Sequence, residues 1–225
     1  MKYKIYNKSS INLNEIENKS IDLIITSPPY NVGHKYFNKK DKIDDSKFQI
    51  LLKNFIKKSY DKLKIKGYLV IDISNYLFLK DKVWLIKNFI IEYAKKNNFY
   101  LVNYHMYFIK DKDNNFAIQG KYNNSFVLNK NMGSHSDLQV VLIFSKINKK
   151  YNLKFLKKEY IFNKENNAYW PKELILDYIK EFNIKNKIIL DPFMGSGLIG
   201  KYVIKNNCFF YGYDINKKSV DQFLN

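Results

Sequence analysis

The sequence predicts an α/β fold, a mostly parallel, Rossmann-like twisted sheet with helices on both faces, in a single domain spanning 1–225. Three observations predict it. Apolar runs alternate with longer segments of helical period, the order produced when parallel strands are joined by crossover helices. A strand, a glycine turn, a helix and a second strand follow one another near the C-terminus, as in a nucleotide-binding half-unit. With 225 residues, 46% of them hydrophobic, no internal repeat and no Pro/Ser linker, the chain has enough material for one sizeable core.

The first strand is 21–26, IDLIIT, where Leu23, Ile24 and Ile25 read as buried. It stops at Pro28-Pro29, which cannot donate a backbone hydrogen bond, and Tyr30 stands directly behind them. Residues 46–64 carry Phe48, Leu51, Leu52, Phe55 and Ile56 at three- and four-residue spacing and predict a core-facing helix. Strand 68–73, YLVIDI, is followed by a second such helix over 81–96, and then by strands 100–109 and 138–145. The last unit runs from strand 187–190 through Asp191-Pro192 and a Gly195-Ser196-Gly197 turn to helix 198–206 and strand 209–213, closing at Asp214.

Stretches 31–45, 111–137 and 146–168 fall outside the alternation. They are polar and turn-forming, and long loops on such a scaffold often carry function. Lys35, Lys39, Lys40, Lys121, Asn123 and Asn124 lie in them, residue types that contact phosphates and base edges. The formal charge is +18, and all 39 basic residues are lysine. Such a surface attracts polyanions, nucleic acid first, although codon bias toward Lys, Asn, Ile and Tyr yields the same composition. The one cysteine, Cys208, reads as a buried strand residue. His34, His105 and His135 show no metal-ligand spacing, so no metal is expected. No run approaches the ~18 apolar residues of a membrane span, and the N-terminus lacks a signal-peptide core, so a cytoplasmic protein is expected.

Glycines in the turn of DPFMGSG let the backbone approach a ligand, and a carboxylate closing the next strand can accept hydrogen bonds from ribose hydroxyls. The turn lacks the Gly-x-Gly-x-x-Gly pattern, and Asp191 would repel a pyrophosphate. A cationic ligand group suits it instead, and S-adenosylmethionine offers an amino group, a sulfonium and a ribose diol.

Taken together, TSPPY (26–30) and DPFMGSG (191–197) resemble the amino-group DNA methyltransferases, which methylate N4 of cytosine or N6 of adenine. With TSPPY first and the cofactor loop last, the order is similar to the permuted beta class, and the resemblance covers nearly the whole chain. It implies the S-adenosylmethionine-dependent methyltransferase fold. By position it makes Ser27, Pro28, Pro29 and Tyr30 the catalytic motif, and Asp191, Pro192, Phe193, Gly195, Ser196, Gly197 and Asp214 the cofactor site. Trp170 and Pro171 would help enclose the methionine end. Double-stranded DNA is the implied partner. A second copy of the chain and a cognate restriction endonuclease are further partners the resemblance leaves open. Ser27 is more usual in the family's cytosine enzymes and Asp in its adenine enzymes, so cytosine N4 is favoured over adenine N6. Asn7-Lys8 and Leu198-Ile199 depart from the family's pattern, which keeps a weak or inactive DNA-binding relative as a further reading.

Overall fold

Apolar, β-branched runs pair side by side because strands buried on both faces can satisfy their backbone groups only with one another. The computed structural model describes residues 2–31, 35–36, 39–40, 42–79, 82–110, 138–161 and 170–225. In chain order the elements are β1 (Tyr3–Tyr6), β2 (Ile21–Thr26), β3 (Lys35–Tyr36), β4 (Lys39–Lys40), α1 (Asp45–Lys62), β5 (Leu63–Ser74), β6 (Leu77–Leu79), β7 (Lys82–Trp84) and α2 (Ile86–Lys96). They continue with β8 (Tyr100–Lys110), β9 (Leu138–Ser145), β10 (Glu159–Ile161), α3 (Lys172–Glu181), β11 (Ile188–Asp191), α4 (Leu198–Ile204), β12 (Phe209–Tyr213) and α5 (Lys217–Leu224).

Eight strands make one sheet in the order β1-β12-β11-β2-β5-β9-β8-β10. Its pairings are parallel except at β9, which runs antiparallel to both β5 and β8. From β2 the chain winds outward to β5, whereas the later β11 and β12 lie on the other side of β2. The carboxyl ends of β2 and β11 therefore flank the point where strand order reverses, the crevice where open α/β sheets bind ligands.

Along β2, side chains alternate between two apolar layers. Ile24 faces Phe48, Leu52, Phe55, Ile90 and Ala94 of α1 and α2. Leu23 and Ile25 face Leu174, Ile175, Ile199, Val203 and Phe223 of α3, α4 and α5. Helices thus cover both faces, as the sequence implied. At the start of α1, Asp44 Oδ1 accepts from Ser46 N at 2.9 Å, satisfying a first-turn amide.

Several boundaries differ from expectation. The helix expected over 81–96 begins at Ile86, because Lys82–Trp84 pairs with Leu77–Leu79 as a small hairpin. α1 ends at Lys62 and β5 starts at once, so the strand expected at 68–73 is longer at its front. Within 146–168, expected as loop, β10 adds to the sheet edge beside β8. Within 31–45, β3 and β4 pair, and α1 begins at Asp45. Residues 111–137 lie outside the described residues.

Candidate active site

Two loops at neighbouring strand ends build the site. At the end of β11, Asp191 is 3% exposed. Its Oδ1 accepts from Phe193 N at 3.1 Å, folding the loop back on itself, and from Thr26 Oγ1 at 2.6 Å. Burial pushes the carboxyl up to about 7, against the two donors that favour its anion, and nearby Asp214 adds to the rise. Phe193 packs its ring edge-on to Phe55 of α1 at 5.2 Å, which fastens the loop to the helix.

The glycine turn is left-handed at Gly195 (φ 52°) and Gly197 (φ 70°). Among the described residues, no atom beyond its chain neighbours lies within 4 Å of a Cβ built on Gly195, so its backbone borders open space there, whereas one on Gly197 would collide with Phe223. Asp214 holds this turn. Its Oδ2 accepts from Gly195 N at 3.0 Å and its Oδ1 from Asn216 N at 2.7 Å. Burial raises its pKa, opposed by these two amides. Asn7 donates from Nδ2 to the Asp214 carbonyl at 2.9 Å, so the opening segment braces the end of β12 beside the glycine turn. The half-buried turn, the two carboxylates and the open approach to Gly195 fit a ligand bearing a ribose diol and cationic groups. Pro192 is buried and Ser196 half-buried in the same loop, Pro171 starts α3, and Trp170 packs on Tyr178 at 5.4 Å.

Ser27, Pro28, Pro29 and Tyr30 leave the end of β2 directly beside this loop, because Thr26 itself donates to Asp191. The Tyr30 hydroxyl lies 3.5 Å from Ser27 Oγ and 3.4 Å from Gln139 Oε1. Burial raises the pKa of Tyr30, and the negative Asp72 raises it further, so the phenol stays protonated. Behind it, Asn31 adopts a left-handed φ of 58° and closes the following loop at its base. It donates to Asp45 Oδ1 at 3.1 Å and accepts from Ile43 N at 2.7 Å.

Asp72, Gln139, Tyr107 and Tyr178 were not singled out from sequence. Asp72 is 2% exposed, and its Oδ2 accepts from Tyr107 of β8 at 2.7 Å and Tyr178 of α3 at 3.0 Å. Burial lifts it to about 7 despite both donors. Its trace in the sequence is an acid inside the apolar strand YLVIDI, and Gln139 is the equivalent in LQVVLIFS. Of the DNA-contact candidates, Lys35, Lys39 and Lys40 belong to β3 and β4, while Lys121, Asn123 and Asn124 lie outside the described residues.

Two solved structures share this architecture. The PvuII DNA methyltransferase, described as cytosine-N4-specific, superposes with a TM-score of 0.72 at 18% identity, covering 100% of this chain and 87% of that one. A Thermus thermophilus protein, described as a DNA modification methylase and solved in complex with S-adenosyl-L-methionine, gives 0.71 at 15% identity, covering 98% and 91%. At these identities the likeness establishes the methyltransferase fold. The type II methyltransferase M.MjaVI of Methanocaldococcus jannaschii is 42% identical over 59 residues, a stretch covering 26% of this chain and 30% of that protein. The sequence model of the N6/N4 DNA methylase family matches residues 21–225. With nine-tenths of its length matched, the TSPPY and DPFMGSG segments included, the chain belongs to that DNA methylase family.

Proposed function

We propose that the chain methylates the exocyclic amino group of a base flipped out of duplex DNA, at cytosine N4, with S-adenosylmethionine as methyl donor. The observation that carries this reading is the 2.6 Å hydrogen bond from Thr26 to Asp191, which joins the end of the catalytic strand to the start of the glycine loop. A nucleophile held at Ser27 and a donor held over Gly195 are thereby neighbours.

The residues of the loop that would hold the cofactor are Asp191, Phe193, Gly195, Ser196, Gly197 and Asp214, with Trp170 and Pro171 at its methionine end. S-adenosylmethionine, when bound there, supplies an electrophilic methyl group. The chain's own residues prepare the nucleophile. An exocyclic amine is weakly nucleophilic because its lone pair is delocalised into the ring, and within a duplex it is also paired. Extracting the base costs a few kcal/mol, which stacking and edge contacts must offset. Tyr30 is the stacking platform. Ser27 Oγ and the Pro28 carbonyl each accept one amino hydrogen, drawing the nitrogen toward tetrahedral geometry and releasing its lone pair. As the N–C bond forms and the S–C bond breaks, the nitrogen becomes cationic, and it then gives one proton to solvent. Alignment of the two reactants supplies much of the acceleration, so no strong base is needed.

A cytoplasmic setting, as the modification partner of a type II restriction endonuclease, goes with this reading. Calorimetric titration of the folded protein with S-adenosylmethionine tests its first requirement. Saturable heat at one site is expected, and no heat from a folded sample would sink it.

A further inference from the structure

The hydroxyl of Tyr30 sits between Ser27 Oγ at 3.5 Å and Gln139 Oε1 at 3.4 Å, so the three side chains form one chain of polar atoms from the end of β2 to the start of β9. Its direction follows from donor inventory. A carboxamide oxygen only accepts, which commits the single Tyr30 hydrogen to Gln139. The Tyr30 oxygen is then an acceptor toward everything else, including the hydroxyl of Ser27 and a main-chain hydrogen bond from Ser74. With its own hydrogen turned to Tyr30, Ser27 presents lone pairs on its remaining side. An amino group offers that side hydrogens. The opposite polarity would set O–H against N–H.

Gln139 is a polar side chain only 4% exposed in a strand whose next five residues are apolar and fully buried. It lies opposite Ser74 of β5 and Tyr107 of β8, at the ligand end of the sheet. A buried amide at that point is costly unless its hydrogen bonds matter to the fold or the site. We propose that Gln139 is a positioning residue that, through the Tyr30 hydroxyl, fixes Ser27 as a hydrogen-bond acceptor for the target amino group. The inference rests on the methyl-transfer reading above. Both links are long, 3.5 and 3.4 Å, and are expected to shorten when a base stacks on the Tyr30 ring, as catalytic hydrogen bonds commonly do on substrate binding.

Single-turnover methyl transfer to duplex DNA, measured for Gln139→Met, Gln139→Glu, Tyr30→Phe and the double variant Tyr30→Phe/Gln139→Met, tests it. Gln139→Met keeps the length but removes the acceptor, and its rate is expected to fall about 100-fold, the scale of a misplaced reacting group. Glutamate keeps both length and acceptor and is expected to stay within a few-fold of wild type. Cofactor affinity is unchanged in all four. The double variant is expected to be no slower than Tyr30→Phe alone, because Gln139 acts only through that hydroxyl. A wild-type rate in Gln139→Met, a loss in Gln139→Glu as large as in Gln139→Met, or additive losses in the double variant would each overturn the role of Gln139. If the wild-type chain itself transfers no methyl group to DNA, the functional reading fails, and this inference falls with it.

Discussion

In the proposed reading, the Tyr30 ring turns its face to the flipped base, while its hydroxyl lies against Ser27 and Gln139. Tyr30→Ala should abolish transfer while leaving S-adenosylmethionine affinity nearly unchanged, since its hydroxyl is engaged with Ser27 and Gln139; normal turnover would refute the stacking role. Asp191 supplies a pH dependence. Burial raises its pKa to about 7 from an ordinary 3.8. In the unliganded protein its contribution to stability is therefore complete below about 3.8 and is lost as pH rises through 7. A cationic ligand selects the ionised form, so cofactor affinity should weaken by up to about tenfold on going from pH 8 to pH 6. Calorimetry at both values checks this, and Asp191→Asn should bind weakly with the dependence removed. A pH-independent wild-type affinity would mean that the carboxylate meets no cation. TSPPY and DPFMGSG were legible in the sequence because prolines and glycines at strand ends serve special backbone geometry. Asp72 and Gln139 were not, since their partners Tyr107, Tyr178 and Tyr30 are distant in sequence and meet them only in the folded sheet.

Among the elements, the central strands were legible for the reason they are central. β2, β9 and β12 are apolar enough to be buried on both faces, and their bounds agree with the runs read from sequence. The edges were harder to read. β1 is short and only partly buried, and β10 is three residues long, so neither has a run to detect. The segment before β10 is held by α3 rather than by its own pattern. Glu181 Oε2 accepts from Lys154 N at 2.9 Å and Phe155 N at 2.7 Å, and one turn earlier Asp177 Oδ2 accepts from Tyr160 at 3.0 Å. Glu181→Ala leaves those amides to solvent, and a loss of about 1 kcal/mol in urea unfolding is expected. Hydrogen exchange should quicken over 151–161 and stay slow in β2 and β5; unchanged exchange there would show that the clamp is dispensable.

For the molecule as a whole, strand order brings the two motifs together and the net charge suits a polyanionic partner. β2 and β11 meet where strand order reverses, so the TSPPY segment and the glycine loop, 165 positions apart at their hydrogen-bonded contact, share one crevice. A chain of net charge +18 should grip a phosphate backbone mainly through lysine. If six or more lysines neutralise phosphates, duplex affinity should fall about 10³-fold or more between 50 and 200 mM salt, with a linear log–log slope. A flat salt response would argue against a polyanionic partner. Methyl transfer to an amino nitrogen in DNA can be read out by mass spectrometry of nucleosides from duplex DNA incubated with the protein and S-adenosylmethionine. N4-methylcytosine is the expected product. N6-methyladenine would contradict cytosine as the target base, and unmodified nucleosides from a folded, cofactor-binding protein would contradict methyl transfer to DNA.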